Sequence, residues 1–412
     1  MSKPEGIYDL IVIGGGAAGF FSAITAAEAG TPNVLILERG SEVLTKVRIS
    51  GGGRCNVTHD CDDPRDLVRS YPRGEKNLRG PFHRWQATDT MEWFEERGVA
   101  LKVEEDGRMF PVTDRSQTVI DCLTDSARTA GVRWRTHCGV SNVRCLSEGF
   151  EVDTTTKETY RCRNLLIATG GIRSKEARTP VESTGHTMIS AVPSLFTFKI
   201  DDPRLEDLMG VSVPDAKVTI GRLESSGPLL ITHWGLSGPA VLKASAWGAR
   251  ELAKSNYQFS LVVNWTGSES RESVSTLFET QRTQHGARKV LRRSVVEGIT
   301  RRLWQRMCEA SGIDDETTWA RMTKVQAKAL TEELVAAKYE VRGKSLNKDE
   351  FVTCGGVPLD DLHLKTMESK LVPGLFFAGE VLNVDGITGG FNFQAAWTTG
   401  RLAGLAIAER SL

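Results

Sequence analysis

Leu10-Ile-Val-Ile-Gly-Gly-Gly-Ala-Ala-Gly19 decides the fold. A short apolar run bounded by glycine predicts a buried strand, and the glycines predict a tight turn into a helix of small residues over 17–29. A second apolar run, Val34-Leu-Ile-Leu37, predicts another strand and ends at Glu38. Gly14 permits the turn, Gly16 lets backbone approach a pyrophosphate, and Gly19 lets helix and strand pack closely. The amides at the helix start, from Gly15 through Ala17 and Ala18, point at phosphates. Glu38 stands where an acid takes ribose hydroxyls, with Arg39 beside it in the same pocket. A bare glycine-rich turn would leave Glu38 unexplained, so dinucleotide binding is expected.

The other end of the chain decides which dinucleotide. Gly374-Leu-Phe-Phe-Ala-Gly-Glu380 is a short apolar strand ending in an acid, Glu380, next to Gly379. The loop Val381-Leu-Asn-Val-Asp-Gly-Ile-Thr-Gly-Gly-Phe-Asn-Phe-Gln394 follows, and a small-residue helix continues over 395–408. Asp385, Gly389, Gly390, Phe391 and Asn392 fall in this stretch. Its exposed amides suit the pyrimidine oxygens of a flavin, favouring the anionic reduced ring. Leu165-Leu-Ile-Ala-Thr-Gly-Gly171 reads as a third strand of the same sheet, delivering Ala168, Thr169 and Gly170 to the cofactor. The three pieces together argue for resident FAD and for one domain built from both chain ends.

Five motifs carry a family resemblance: Ile49-Ser-Gly-Gly-Gly-Arg-Cys-Asn56, Asp106-Gly-Arg-Met-Phe-Pro111, Thr232-His-Trp-Gly-Leu-Ser-Gly-Pro-Ala-Val-Leu242, Thr353-Cys-Gly-Gly-Val357 and the stretch 379–394. With them the chain resembles the bacterial flavoprotein family of aminoacetone oxidases, BaiN-type bile-acid enone reductases and ribosomal RNA dihydrouridine synthases. The resemblance spans the chain from end to end. It implies cofactor contact by Lys46, Ser50, Gly52, Gly53, Arg54, Cys55 and Asn56, and by Val140. Three consecutive glycines let backbone pass close to a flat ligand, and Arg54 can meet a phosphate or carbonyl. Cys55 reads as packed and inert, because no histidine-plus-acid arrangement accompanies it. Phe110-Pro111 reads equally as ring-side contact and as core packing. The chain departs from its relatives at Glu182-Ser-Thr-Gly-His-Thr187, where His186 and Thr187 replace an acid and a glycine, and at Asn383, where an aspartate is common.

Composition fits an enzyme of more than one ordinary domain. The chain has 412 residues, 40 of them glycine, and equal numbers of basic and acidic side chains, 52 each. That balance gives no general attraction to nucleic acid or membrane. No apolar run suffices to span a bilayer, and Met1-Ser-Lys-Pro-Glu-Gly leads to the first strand without a signal stretch, so a cytoplasmic location is expected. The 8 cysteines include no Cys-x-x-Cys and no metal spacing, so no metal site is expected.

The expected organisation is an α/β, glutathione-reductase-type Rossmann domain interrupted by an insert. Residues 1–195 form its first part, 196–270 a β-rich, barrel-like insert, 271–350 a helical insert with a return strand, and 351–412 its second part. The helical reading of 270–339 rests on Val290, Leu291, Val295, Ile299 and Leu303 at three-to-four spacing. On such a helix Arg288, Arg292 and Arg293 share a face within the basic stretch 282–306, which reads as a solvated surface or an RNA contact.

No second Gly-x-Gly-x-x-Gly motif follows a strand, so a nicotinamide donor, NAD(P)H, is expected to dock transiently. The leading expectation is NAD(P)H-driven, FAD-dependent reduction of an activated carbon–carbon double bond in a small molecule. The alternatives are uridine reduction in rRNA, an aminoacetone-type amine oxidase and a non-catalytic flavin-binding protein. His233, the one histidine inside a family motif, is the catalytic candidate as a proton relay, against the plainer reading of a structural hydrogen-bonder.

Overall fold

A computed structural model describes residues 6–345 and 352–411. Met1–Glu5 of the N-terminal stretch and the 350/351 boundary lie outside these residues. The chain divides into two compact units, one built from the chain up to Pro193 together with its C-terminal stretch, the other beginning at Ser194.

The first unit is organised by a parallel sheet. Its central strands are β1 (Tyr8–Ile13), β2 (Val34–Leu37), β3 (Arg133–Arg135), β4 (Thr159–Ile167) and β5 (Leu375–Phe377), in the spatial order β5-β4-β1-β2-β3. Two short antiparallel strands, Leu362–His363 and Glu368–Ser369, extend the β5 edge. β1, β2 and β5 read as continuous apolar runs because both faces of the sheet are covered, and every residue of each is buried. Register then fixes the site. Ile13 lies opposite Leu37 and Ile167, and Ile167 lies opposite Phe377. Gly14, Glu38, Ala168 and Ala378 therefore leave the sheet along one edge, the carboxyl edge at which open α/β sheets bind ligands.

The first and last helices, α1 (Ala17–Glu28) and α2 (Phe391–Ser411), pack closely through small residues. A Cβ at Gly404 would stand 2.6 Å from Ser22 O and one at Gly400 3.0 Å from Ala18 O. This contact joins the two ends of the chain in one core.

The second unit has its own core around a closed six-stranded barrel. Its strands are Thr197–Ile200, Ser212–Ile220, Leu223–Thr232, Gly235–Ser237, Phe259–Asn264 and Ala337–Ser345. The period-two runs at 195–200, 216–220 and 258–264 supply barrel residues, as their alternation predicts. Helices follow at Arg271–His285, Arg301–Ala310 and Lys324–Val335.

One expectation fails here. The segment 286–300 is not helical apart from a single 3₁₀ turn, Val290–Arg292. Gly286 ends the preceding helix and Gly298, at φ +75°, precedes the next. Val290 and Leu291 are buried as adjacent residues, an arrangement one helical stripe does not require. Trp304 Nε1 donates to Val290 O (2.9 Å), fixing the irregular segment to the helix Arg301–Ala310. Arg288, Arg292 and Arg293 thus do not share a helix face.

Candidate functional site

The turn between β1 and α1 divides its glycines by role. Gly14 has φ +112°, and a Cβ there would come 2.3 Å from Ala168 O; at Gly19 it would come 2.0 Å from Gly14 O. These two positions are closed by backbone. At Gly16 a Cβ would meet nothing within 4 Å. Gly16 is also the N-cap of α1 and makes no side-chain cap, so the first helical amides, including those of Ala17 and Ala18, have no side chain capping them. Open space over uncapped amides is the cradle a pyrophosphate requires.

Glu38, leaving β2, places its carboxylate on the same turn. Oε2 accepts from Gly15 N and Oε1 from Gly40 N, both at 2.7 Å. Arg39 Nη1 donates to Ser174 Oγ at 3.1 Å, and Gly139, next to the buried Val140, abuts its side chain. Glu38, Arg39 and Val140 thus gather at the carboxyl end of β2.

Lys46 and the 50–56 segment form another wall. The helix Thr45–Gly53 breaks at Ser50 (ψ 150°), and Gly51, Gly52 and Gly53 all take positive φ. A Cβ at Gly52 or Gly53 would meet nothing within 4 Å. Arg54 lies over the Phe110 ring at 3.9 Å and bonds Glu104 Oε1 at 2.6 Å. That hydrogen bond raises its affinity for the proton. Cys55 is wholly buried, and burial pushes its thiol up to about 12, as an inert packed thiol requires. Asn56 Oδ1 accepts from Met109 N at 3.2 Å.

Lys46 and Ser50 reach different partners. Lys46 ion-pairs with Glu380, whose Oε1 also accepts from Thr353 N at 2.9 Å. Glu380 Oε2 is the nearest atom a Cβ at Gly170 would meet, at 4.0 Å, so the strand end carrying Thr169 and Gly170 faces this carboxylate. Ser50 Oγ donates to Val47 O at 3.0 Å.

The 379–392 loop closes the constellation. Gly379 abuts Ala18, since a Cβ there would stand 2.7 Å from the alanine's Cβ. Gly389 and Gly390 have φ +127° and +94°, and Gly390 lies against Thr58 O. Phe391 packs against the His59 ring, tilted by 31° with centroids 4.5 Å apart, and its carbonyl accepts from Tyr71 Oη at 2.5 Å. Asn392 brackets Gly386, accepting from its N–H and donating to its carbonyl at 2.9 Å each. Asp385 is completely buried and forms a two-pronged ion pair with Arg73.

His59, Tyr71 and Arg73 were not singled out from sequence. His59 Nδ1 lies 2.9 Å from Gly389 O. A buried acid needs a cation, but nothing local points to Arg73, which precedes Asp385 by 312 positions. His186 is also buried, between Thr184 Oγ1 (3.0 Å) and Ser369 Oγ (2.8 Å).

His233 belongs to the second unit. It is exposed in the turn between Leu223–Thr232 and Gly235–Ser237, its ring edge-on to Trp234 at 5.1 Å. Thr232 fixes that turn, accepting from Trp234 N at 3.2 Å and donating to Gly235 O at 3.1 Å. Among the described residues no three His, Cys, Asp or Glu side chains gather as a metal set, and no helix is long and apolar enough to cross a membrane.

Comparison with known proteins bears on this geometry. The profile of the HI0933-like protein Rossmann domain matches residues 8–406. The chain is 31% identical to a ribosomal RNA dihydrouridine synthase of Escherichia coli over 402 residues, covering 95% of this chain and 96% of that one. It is 29% identical over 423 residues to a 3-dehydro-bile acid Δ(4,6)-reductase of Clostridium scindens, covering 97% and 98%. Among solved structures it shares the fold of a 3-ketosteroid-Δ4-(5α)-dehydrogenase from Rhodococcus jostii RHA1, with TM-score 0.54 and 14% identity over 99% of this chain and 98% of that one. With the profile running through both chain ends that build the glycine cradle, this protein belongs to the HI0933-like Rossmann family and is a flavoprotein oxidoreductase.

Proposed function

We propose that the protein binds FAD along the carboxyl edge of the parallel sheet and uses NAD(P)H to reduce a carbon–carbon double bond conjugated to a carbonyl. The observation that carries the cofactor assignment is the contrast between Gly16, open to 4 Å, and Gly14 and Gly19, closed by backbone. FAD in this place supplies two-electron hydride chemistry.

The chain's own groups hold and orient. The amides from Gly16 to Ala18 meet the pyrophosphate, and Glu38, its carboxylate held by the Gly15 and Gly40 amides, takes ribose hydroxyls. The open glycines 52 and 53 let the backbone lie against a flat ring. The amides of the 389–391 turn face the pyrimidine side, with the turn held by Tyr71 and by Asn392. Completing the reduction needs one proton at the substrate carbon, and His233 is the side chain to test as its source.

The substrate class rests on the relatives. A bile-acid Δ(4,6)-reductase and a dihydrouridine synthase both saturate a double bond activated by a carbonyl. Uridine in rRNA is the form of that substrate favoured by the E. coli relative at 31% identity, and a small enone is the other.

Anaerobic addition of NADPH and then NADH to the purified flavoprotein tests the reading. Loss of the flavin's visible absorbance with either donor is expected, with reoxidation by an enone or by uridine-containing RNA. Failure of both donors overturns it, and peroxide release with amines under oxygen would then point to an oxidase. A His233→Gln variant that is still reduced by NAD(P)H but is reoxidised slowly by the substrate would support the proton role.

A further inference from the structure

We propose that Arg288, Arg292, Arg293, Arg301 and Arg302 form a face that binds the phosphate backbone of RNA; the proposal rests on the uridine-reductase form of the function above. The chain carries no net charge, so a local excess is not the by-product of a basic protein. Several neighbouring cations in the same unit are already engaged. Arg204 pairs with Asp202 and Glu333, Arg271 with Glu332, Lys289 with Glu316 and Arg306 with Asp207, while Arg282 donates to the Met322 carbonyl. The five arginines are exposed, and among the described residues their side chains have no hydrogen-bond or ion-pair partner.

Hydrogen bonds and a shared apolar core tie together the segments that carry them. Val290 N donates to Thr317 O at 3.0 Å, and Val290 O accepts from Trp304 Nε1 at 2.9 Å. Val290, Leu291, Leu303 and Trp304 are buried at this junction, which leaves Arg292, Arg293, Arg301 and Arg302 on its solvent side. Arg288 O accepts from Trp319 N at 3.0 Å, tying the fifth arginine to the same framework.

Stability does not explain the placement. Arg301 and Arg302 occupy the first turn of the helix Arg301–Ala310, which has no acid there and no side-chain cap. Cations at a helix N-terminus oppose the helix dipole, whereas a bound phosphate would be favoured by both arginines and amides. All five are arginine, whose planar fork matches phosphate oxygens. No large apolar side chain between 286 and 302 is exposed, so the face lacks the insertable group of a membrane-binding surface. Its exposed acid is Glu297, and Asp314, Asp315 and Glu316 lie on the side of Lys289.

The test is fluorescence anisotropy of the full flavoprotein with a fluorescein-labelled RNA stem-loop of mixed sequence, across a salt series. Five phosphate contacts give a log–log salt slope of about −3.5 to −4.5. Arg292→Gln with Arg293→Gln, or Arg301→Gln with Arg302→Gln, should shrink that slope by about 2 and weaken binding about tenfold or more. Arg271→Gln, an arginine already paired with Glu332, should change neither. The paired variants should melt no lower than the parent, which separates lost binding from lost folding. No RNA binding by the parent, an unchanged slope in both paired variants, or binding to phosphatidylserine vesicles in place of RNA would overturn the proposal. NADPH bleaching is read on the same preparations. Bleaching without RNA binding defeats the arginine face and leaves a small-molecule reductase; arginine-dependent RNA binding without bleaching upholds the face and defeats the reductase.

Discussion

Gly16 and Gly19 stand three residues apart under opposite constraints. Gly16 has φ −91° and ψ −169°, a conformation that any residue adopts, and its Cβ would point into open space. Gly16→Val should therefore keep the apoprotein's melting temperature while weakening FAD by about tenfold or more, roughly 1.4 kcal/mol. Gly19→Ala places a methyl 2.0 Å from Gly14 O and should cost about 2–3 kcal/mol of stability in urea unfolding. Equal flavin loss in both variants, or equal destabilisation, would refute this division. Arg73 and Asp385 make a second contrast. Arg73→Ala leaves a fully buried carboxylate without its cation, and about 3–5 kcal/mol of destabilisation is expected. Glycine spacing is written in adjacent letters and is legible from sequence; this ion pair joins residues 312 positions apart and leaves no local pattern. Thiols follow the same logic of burial. Burial pushes Cys55 up to about 12, whereas Cys145 is exposed. Mass spectrometry after brief alkylation near neutral pH should find Cys145 modified and Cys55 untouched until the chain unfolds.

At the scale of elements, apolar periodicity reads well where hydrogen bonding is local and the element is long. β1, β2 and β4 emerge from their apolar runs, and α1 from its small residues. The segment 286–300 shows the limit. Its valines and leucine recur at helical spacing because each is anchored in the core, but Gly286, Gly298 and the Trp304–Val290 hydrogen bond hold an irregular path. Spacing reports burial, and burial alone does not specify a helix. The Glu182–Thr187 departure has its own consequence. His186 faces Thr184 and Ser369 through hydrogen bonds and the Phe377 ring edge-on, and burial lowers its proton affinity although Asp361 pulls the other way. The unfolded histidine takes up a proton as pH falls through about 6.5, whereas the folded one resists until lower pH. Stability is thus present above that value and is lost as pH falls through the interval below it. Melting temperature should decline between about pH 7 and 5 more steeply in the parent than in His186→Gln; parallel curves would show that this histidine does not contribute.

For the whole molecule, the decisive fact is that the two ends of the chain make one unit while the middle makes another. The first core runs from β1 through β5 to α2, and the barrel core shares no residue with it. The interruption was legible because dinucleotide-type strands occur near both termini and period-two strands lie between them. The barrel-like insert was legible too, but its strand pairing was not, since that joins residues such as Phe198 and Lys344, far apart in sequence. Separate cores predict separate unfolding events. The proposed FAD contacts, from Gly14 to Asn392, lie in the first unit, so FAD stabilises that unit by mass action and leaves the barrel unaffected. At a free concentration a hundred times its dissociation constant, the gain is about 2.7 kcal/mol. Calorimetry of the apoprotein should show two transitions, of which added FAD raises one. At the same FAD concentration Gly16→Val should cut that rise by about half or more without moving the other transition. A single transition shifted as a whole would mean that the chain unfolds as one cooperative body, and a rise confined to the barrel transition would move the cofactor site out of the glycine cradle altogether.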